Sequence, residues 1–121
     1  MPFDLVWEAE GVTKVFKGHL SFNEVMRSSR LVEGDERFDS IRFVINDLRG
    51  VEGIEVSQNE VDEIVAVDAA ASVSNKQIRL AAVVTEESIL ALDKSYAESP
   101  YNTYPFKIFS TIEAARAWLG A

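Results

Sequence analysis

The stretch IRLAAVV, residues 78–84, limits the fold of this chain more than any other feature. It is almost entirely apolar and lacks the polar alternation of a strand with one solvated face. Such a run is typical of a β-strand that is covered on both faces. Strands of this kind occur in α/β domains, in which helices pack on either side of a mostly parallel sheet.

The rest of the chain alternates between the apolar spacing of strands and that of helices. The predicted strands are residues 5–9, 12–17, 41–48, 78–84 and 106–110, and the predicted helices are residues 21–32, 57–75, 86–97 and 110–120. Gly11 is expected to take a positive φ in the first hairpin, and residues 49–56 are expected to form an irregular connection. The order β-β-α-β-α-β-α-β-α predicts an α/β fold with a mixed, mostly parallel five-stranded sheet and four helices, in one domain over residues 1–121.

Charge and cysteine content argue against several classes of function. Acidic residues number 20 and basic residues 12, for a net charge of −8, and the basic residues are scattered singly. Nucleic acids and anionic membrane surfaces both attract clustered basic residues, so neither is an expected partner. The absence of cysteine excludes disulfides and thiolate metal sites.

The N-terminal segment MPFDLVWEAEG has no basic, apolar leader, and no apolar run approaches the ~20 residues of a spanning helix. We therefore expect a cytoplasmic protein without membrane insertion. Glycine-rich phosphate loops and nucleophile elbows are absent as well. The sequence thus predicts no cofactor, no metal and no catalytic residue.

Asp68 is the most informative single residue, because helical spacing places it within the apolar face of the second helix. A buried carboxylate needs a cation or several hydrogen-bond donors. Arg42, Arg49 and Ser72 are its candidate partners. Three interpretations stay open: a structural ion pair, an acid lining a functional pocket, or an error in the phase of the helix.

Two further groups of polar residues are candidates for binding. Asp47, Glu52 and Glu55 follow a strand, where carboxylates either bind a divalent cation or stay solvated in a loop. Tyr96 and Tyr101 belong to a tyrosine-rich stretch that suits either an interface or a loop folded onto the core. The full set of candidate binding residues is Asp47, Arg49, Glu55, Ser57, Asp68, Tyr96 and Tyr101.

The order of several soft motifs resembles the SpoIIAA-like family of small bacterial proteins, which are relatives of STAS domains and are also described as STAS/SEC14-like. These motifs are VWEAEGVTKVFKGHLSFNEV, an acid in the second helix, IRLAAVVT, FKIF and a last helix that ends in EAARAWL. In STAS regulators an Asp-Leu pair, here Asp47 and Leu48, precedes a loop and a serine that a kinase phosphorylates. That serine aligns with Val56 here, and Ser57 follows one place later.

The resemblance implies a fold more firmly than a function. The leading hypothesis is a non-enzymatic regulatory or protein-interaction module that binds a protein partner or self-associates as a homodimer. Its expected surface joins the 47–57 loop to the following helix. The alternatives are a SEC14-like protein that binds a small apolar or lipid-like ligand, with Asp68 and the tyrosines at the pocket, and an enzyme that uses Asp47, Asp68 or His19.

Overall fold

Five strands form one sheet in the order β1-β2-β3-β4-β5, in which β1 is antiparallel to β2 and all other neighbours are parallel. The computed structural model describes residues 3–100 and 102–121. The strands are β1 (Phe3–Trp7), β2 (Gly11–Ser21), β3 (Phe43–Glu55), β4 (Arg79–Val83) and β5 (Phe106–Phe109). The helices are α1 (Phe22–Glu33), α2 (Gln58–Ala71), α3 (Glu87–Ala97) and α4 (Ile112–Leu119), with a 3-10 turn at Glu36–Ser40. The predicted fold class and element order are confirmed.

Strand β4 is covered on both faces, as its composition predicts. Leu80 and Ala82 face the side on which α1, α2 and α3 pack, whereas Ala81 and Val83 face α4. Residues 81–83 are all 0% exposed. The apolar side chains of this strand therefore join the two cores of the domain.

Gly11 is required for packing rather than for a positive φ, which corrects the expectation for the hairpin. Positive φ among the described residues occurs at Gly18 and Gly120 only. A Cβ on Gly11 would lie 2.3 Å from a ring carbon of Phe43, the residue beside it in the sheet. The missing side chain thus makes room for an aromatic ring.

The prediction of an irregular connection after residue 48 is wrong, because β3 continues to Glu55. Strand β2 likewise continues through Gly18 to Ser21. Beyond the end of β4, residues 18–21 of β2 and 51–55 of β3 pair only with each other, and we call these two segments the β2–β3 ribbon.

Register shifts between Val15 and Lys17 and between Gly18 and His19 explain why the sequence pattern did not predict this ribbon. A bulge adds one residue to one strand and so reverses the phase of its alternation. Leu48 and Val51 are an odd number of positions apart, yet they pack in the same core cluster. The interrupted alternation of β3 therefore looked like a loop.

Ser57 caps helix α2 as predicted, and the first helical residue is Gln58. The Ser57 hydroxyl accepts from the Glu60 amide at 3.3 Å, and the Glu60 carboxylate accepts from the Ser57 amide at 2.9 Å. The helix ends at Ala71, four residues before the predicted end.

Asn75 follows α2 and ties the loop before β3 to it. The side chain is buried, and its Nδ2 donates to the carbonyls of Phe38 at 2.7 Å and Ile41 at 2.8 Å. Its Oδ1 accepts from the Gln77 amide at 3.0 Å. A fully bonded amide of this kind fixes the 3-10 turn and the residues between it and β3.

Candidate functional site

A cavity of about 100 Å³ lies between the sheet and helices α1, α2 and α3. Most of its lining is apolar and belongs to the core clusters on that side of the sheet. The polar or titratable residues in the lining are Lys14, Ser29, Glu33, Asn46, Asp68, Asp93, Tyr96 and Tyr104. An apolar cavity with a few convergent polar groups is the usual form of a small-molecule site.

Lys14 and Asn46 form the polar floor of the cavity. They are direct neighbours in the register of β2 and β3, and strand alternation turns both toward the helices. The flanking positions on the same face hold apolar side chains that are almost fully buried, such as Val12 and Val44. Two polar residues thus interrupt an otherwise apolar sheet face at one place.

The Lys14 ammonium group has few partners for its degree of burial. It donates to the Ser29 hydroxyl at 3.3 Å. Within the described residues, no carboxylate oxygen lies within 4.0 Å of its Nζ. Burial lowers the pKa of Lys14, and the negative charges of Asp68 and Glu33 oppose this effect.

Asp68 and Tyr96 form the opposite side of the cavity. The Tyr96 hydroxyl, from α3, donates a hydrogen bond to Oδ2 of Asp68, from α2. Burial raises the pKa of Asp68, and both the positive charge of Lys14 and the bond from Tyr96 lower it. The side chain of Asp68 is half-buried and lines the cavity, as one of the three interpretations of its sequence position expects.

The predicted partners of Asp68 are wrong. Arg42 lies 3.9 Å from Glu10, Arg49 pairs with Asp47, and the Ser72 hydroxyl donates to the Ala69 carbonyl at 2.6 Å. The groups that interact with Asp68 are instead the charge of Lys14 on β2 and the hydroxyl of Tyr96 on α3, both far from α2 in sequence.

Two more carboxyl groups face the cavity. Desolvation, and to a lesser degree the charge of Asp68, raise the pKa of Glu33 to about 7, while Lys14 opposes the shift. Desolvation alone raises the pKa of Asp93 to about 7. Oδ2 of Asp93 and Oδ1 of Asn46 are buried and have no hydrogen-bond partner in the described part of the chain. Two residues of the cavity lining therefore each carry a buried acceptor that the protein does not satisfy.

Two of the three tyrosines of the chain line the cavity. Tyr96 is buried and packs on Phe106, with ring centroids 4.8 Å apart. Tyr104 is also buried, and its hydroxyl donates to the Asn75 carbonyl at 3.1 Å. Tyr101 lies outside the described residues.

The residues of the predicted 47–57 surface do not come together. Asp47 is buried on the α4 side of β3, and its carboxylate accepts from Arg49 Nε at 2.9 Å and Nη2 at 3.0 Å. Glu55 is exposed at the end of the ribbon, and Ser57 caps α2. Asp47 and Asp68 therefore lie on opposite sides of the sheet, and the expected continuous surface is not formed.

The acidic residues after residue 46 do not form a metal site either. They are spread along the extended β3, and no group of three potential ligands occurs among the described residues. His19, the other candidate for acid–base chemistry, lies in the ribbon rather than in a strand-to-helix loop.

The sequence interpretation missed Lys14, Glu33, Asn46 and Asp93. A signal for two of them was present, because Lys14 sits at an inward position of the series Val12, Lys14, Phe16. Asn46 occupies the same kind of position between Val44 and Leu48. A polar residue at an inward strand position is as informative as Asp68 in its helix.

Comparisons with known proteins identify the fold. No family model matches the chain, and no curated protein matches it. The solved structure of the anti-sigma factor antagonist SpoIIAA in its unphosphorylated form matches with a TM-score of 0.65 at 12% identity, over 98% of both chains. The phosphorylated form of the Bacillus cell fate determinant SpoIIAA matches with a TM-score of 0.60 at 12% identity, over 97% of this chain and 98% of that chain.

An uncharacterised Shewanella loihica protein with a SpoIIAA-like fold matches with a TM-score of 0.54 at 15% identity, over 97% of this chain and 91% of that chain. Among the described helices, none is long and apolar enough to cross a bilayer. The element order, the sheet and these likenesses agree, and the chain has the SpoIIAA-like fold.

Proposed function

We propose that this protein is a non-enzymatic binding module that holds a small molecule in the cavity between its sheet and helices α1, α2 and α3. The observation that carries the proposal is the presence of two residues of opposite charge, Lys14 and Asp68, in a mostly apolar lining. Burying two charges costs more free energy than a distant attraction returns, so packing alone does not account for them.

The size of the cavity limits the ligand. An engineered apolar cavity of about 150 Å³ in another protein accepts benzene. The cavity here measures about 100 Å³, well below the roughly 300–1,000 Å³ of drug-sized sites. This favours a ligand of a few heavy atoms and disfavours a long-chain lipid.

Binding of a small apolar probe to the cavity tests the proposal. Ligand-observed NMR with benzene is expected to show saturable binding to the wild-type protein. Ile64→Phe should abolish it, because Ile64 lines the cavity and the larger side chain fills the space. Val73→Phe is the control, since Val73 is 77% exposed on the surface. Absence of binding to the wild type, or equal loss in both variants, contradicts the proposal.

A regulatory protein-interaction module is the second candidate function. The likeness in fold to a protein described as an anti-sigma factor antagonist supports it. Self-association as a homodimer is one form that this interaction would take. Sedimentation equilibrium measures the mass in solution, and a monomer that also captures no partner from its host lysate would contradict this candidate.

Ser57 is the position at which a phosphorylation switch would act. Its hydroxyl caps α2, and Glu60 accepts from its amide. A phosphate would gain from the helix N-terminus but would face the negative charge of Glu60. Mass spectrometry of the protein isolated from its host tests this, and the absence of phosphate at Ser57 under all growth conditions would contradict it.

A further inference from the structure

We infer that the cavity selects a small primary amine, protonated and attached to a short apolar group. This inference rests on the proposed binding function and adds the chemical class of the ligand. It is carried by the acceptors that the protein leaves without a donor, by the balance of charge around the cavity and by the cavity volume.

Two hydrogen-bond acceptors of lining residues have no donor, although the lining also holds the Lys14 amine. Oδ1 of Asn46 and Oδ2 of Asp93 are both buried without a partner among the described residues, and both are acceptors. Leaving such groups unsatisfied costs free energy, and a ligand that supplies donors recovers it when the side chains turn these oxygens toward the cavity. A carboxylate accepts through both oxygens, so the requirement at Asp93 holds in either orientation of its side chain.

The balance of charge favours a cation over an anion. Three carboxyl groups face the cavity, from Glu33 on α1, Asp68 on α2 and Asp93 on α3, against the single amine of Lys14 on β2. Tyr96 already donates to Asp68, whereas no basic side chain among the described residues lies within 4.0 Å of Asp93. A ligand ammonium group would give Asp93 the counter-charge that the protein omits.

The remaining surface and the volume define the rest of the ligand. Leu20, Val25, Leu48 and Ile54 are among the lining residues, and they offer only apolar contact. A volume of about 100 Å³ suits a hydrocarbon group of about four carbons beside the polar head. An ammonium group carries three donors, enough for both unsatisfied acceptors.

The test compares n-butylamine, n-butanol and butyrate, which share a chain length and differ in their polar group. At pH 8, calorimetry or ligand-observed NMR should give a dissociation constant for the amine about tenfold or more below those of the other two. Asp93→Asn should reduce this preference about tenfold and leave the butanol affinity nearly unchanged. Asp62→Asn, on the exposed surface of α2, is the matched control.

A pH titration of the wild type gives a second, mutation-free readout. Desolvation raises the pKa of Asp93 to about 7, so its ionised fraction rises about tenfold between pH 6 and pH 8. The amine affinity should rise with it while the butanol affinity stays flat. The other titratable groups that face the cavity are Lys14, Glu33, Asp68, Tyr96 and Tyr104. Asp93→Asn separates their contribution from that of Asp93, because it removes the pH dependence only if Asp93 is its source.

Each outcome has one meaning. Butyrate or butanol binding as tightly as the amine overturns the inference, as does an amine affinity that neither Asp93→Asn nor pH alters. If benzene binds but the amine does not, this inference fails and the proposed binding function stands. If neither benzene nor any of the three compounds binds, both fail.

Discussion

Replacing Lys14 by Met and Asp68 by Asn, singly and together, measures what the two charges in the cavity lining contribute to stability. Met keeps the length of the Lys14 stem, and Asn keeps an oxygen that accepts from Tyr96. Each single variant leaves one charge in the cavity without the other. The double variant removes both charges and the need to solvate them.

The structure sets the size of the expected effects. At an effective dielectric constant near 20, two unit charges 4 Å apart attract by about 4 kcal/mol. Lys14 Nζ lies beyond 4.0 Å from the Asp68 oxygens, so the attraction is smaller. We expect each single variant to lose about 2 kcal/mol of unfolding free energy and the coupling energy to be about 3 kcal/mol. The double variant should therefore lose only about 1 kcal/mol relative to wild type, since uncharged replacements relieve desolvation.

Urea unfolding followed by circular dichroism measures these free energies, provided that the slope with urea is unchanged between variants. The control cycle uses the exposed pair of Arg116 and Glu8, whose nitrogen–oxygen distance is 2.8 Å. Its coupling should stay below about 1 kcal/mol. A double variant of Lys14 and Asp68 that is less stable than either single variant would refute the view that these charges serve binding rather than stability.

Three further predictions concern particular contacts and pH. Asn75→Ala leaves two buried carbonyls without their donor. The free energy of unfolding in urea should therefore fall by about 2–4 kcal/mol. A loss below about 1 kcal/mol would contradict the role given to the Asn75 amide. Gly11→Ala places a methyl group against the Phe43 ring and should cost about 1–3 kcal/mol of unfolding free energy in the same assay. The double variant Gly11→Ala/Phe43→Leu should recover part of this loss. An equal cost of Gly11→Ala with Phe43 and with Leu at position 43 would refute the contact. Because the folded-state pKa values of Glu33 and Asp93 are raised to about 7, the folded protein binds more protons than the unfolded chain between about pH 5 and pH 7. Stability should therefore fall as pH rises through this window, and Asp93→Asn should flatten the melting-temperature profile, whereas an unchanged profile would contradict the raised pKa of Asp93.

The sequence predicts the fold well where periodicity is simple. The apolar run at residues 78–84 indicates a central strand, and Ser57 marks the start of α2 because its hydroxyl is a good helix cap. The sequence fails at β3, where a bulge reverses the alternation and makes a strand resemble a loop.

The candidate site is predicted in part. Asp68 is recognisable from its place on an apolar helix face, but its partners are not. The register of β2 brings the charge of Lys14 near Asp68, and the packing of α3 lets Tyr96 bond to it; such long-range proximity leaves no local pattern. Arg42 and Arg49, two of the three candidate partners, pair with other carboxylates in the fold.

The β2–β3 ribbon affects how readily water and small molecules can enter the cavity. Along residues 43–47, β3 is hydrogen-bonded to a strand on each side, whereas residues 51–55 are bonded to β2 alone. A segment with half the lateral support separates from its neighbour at lower free energy, so its amide protons should exchange sooner than those of the shared stretch. Leu20 and Ile54 belong to this segment and line the cavity. Fraying that begins at the tip of the ribbon would therefore open a route between solvent and the cavity while the four-strand parallel sheet stays intact.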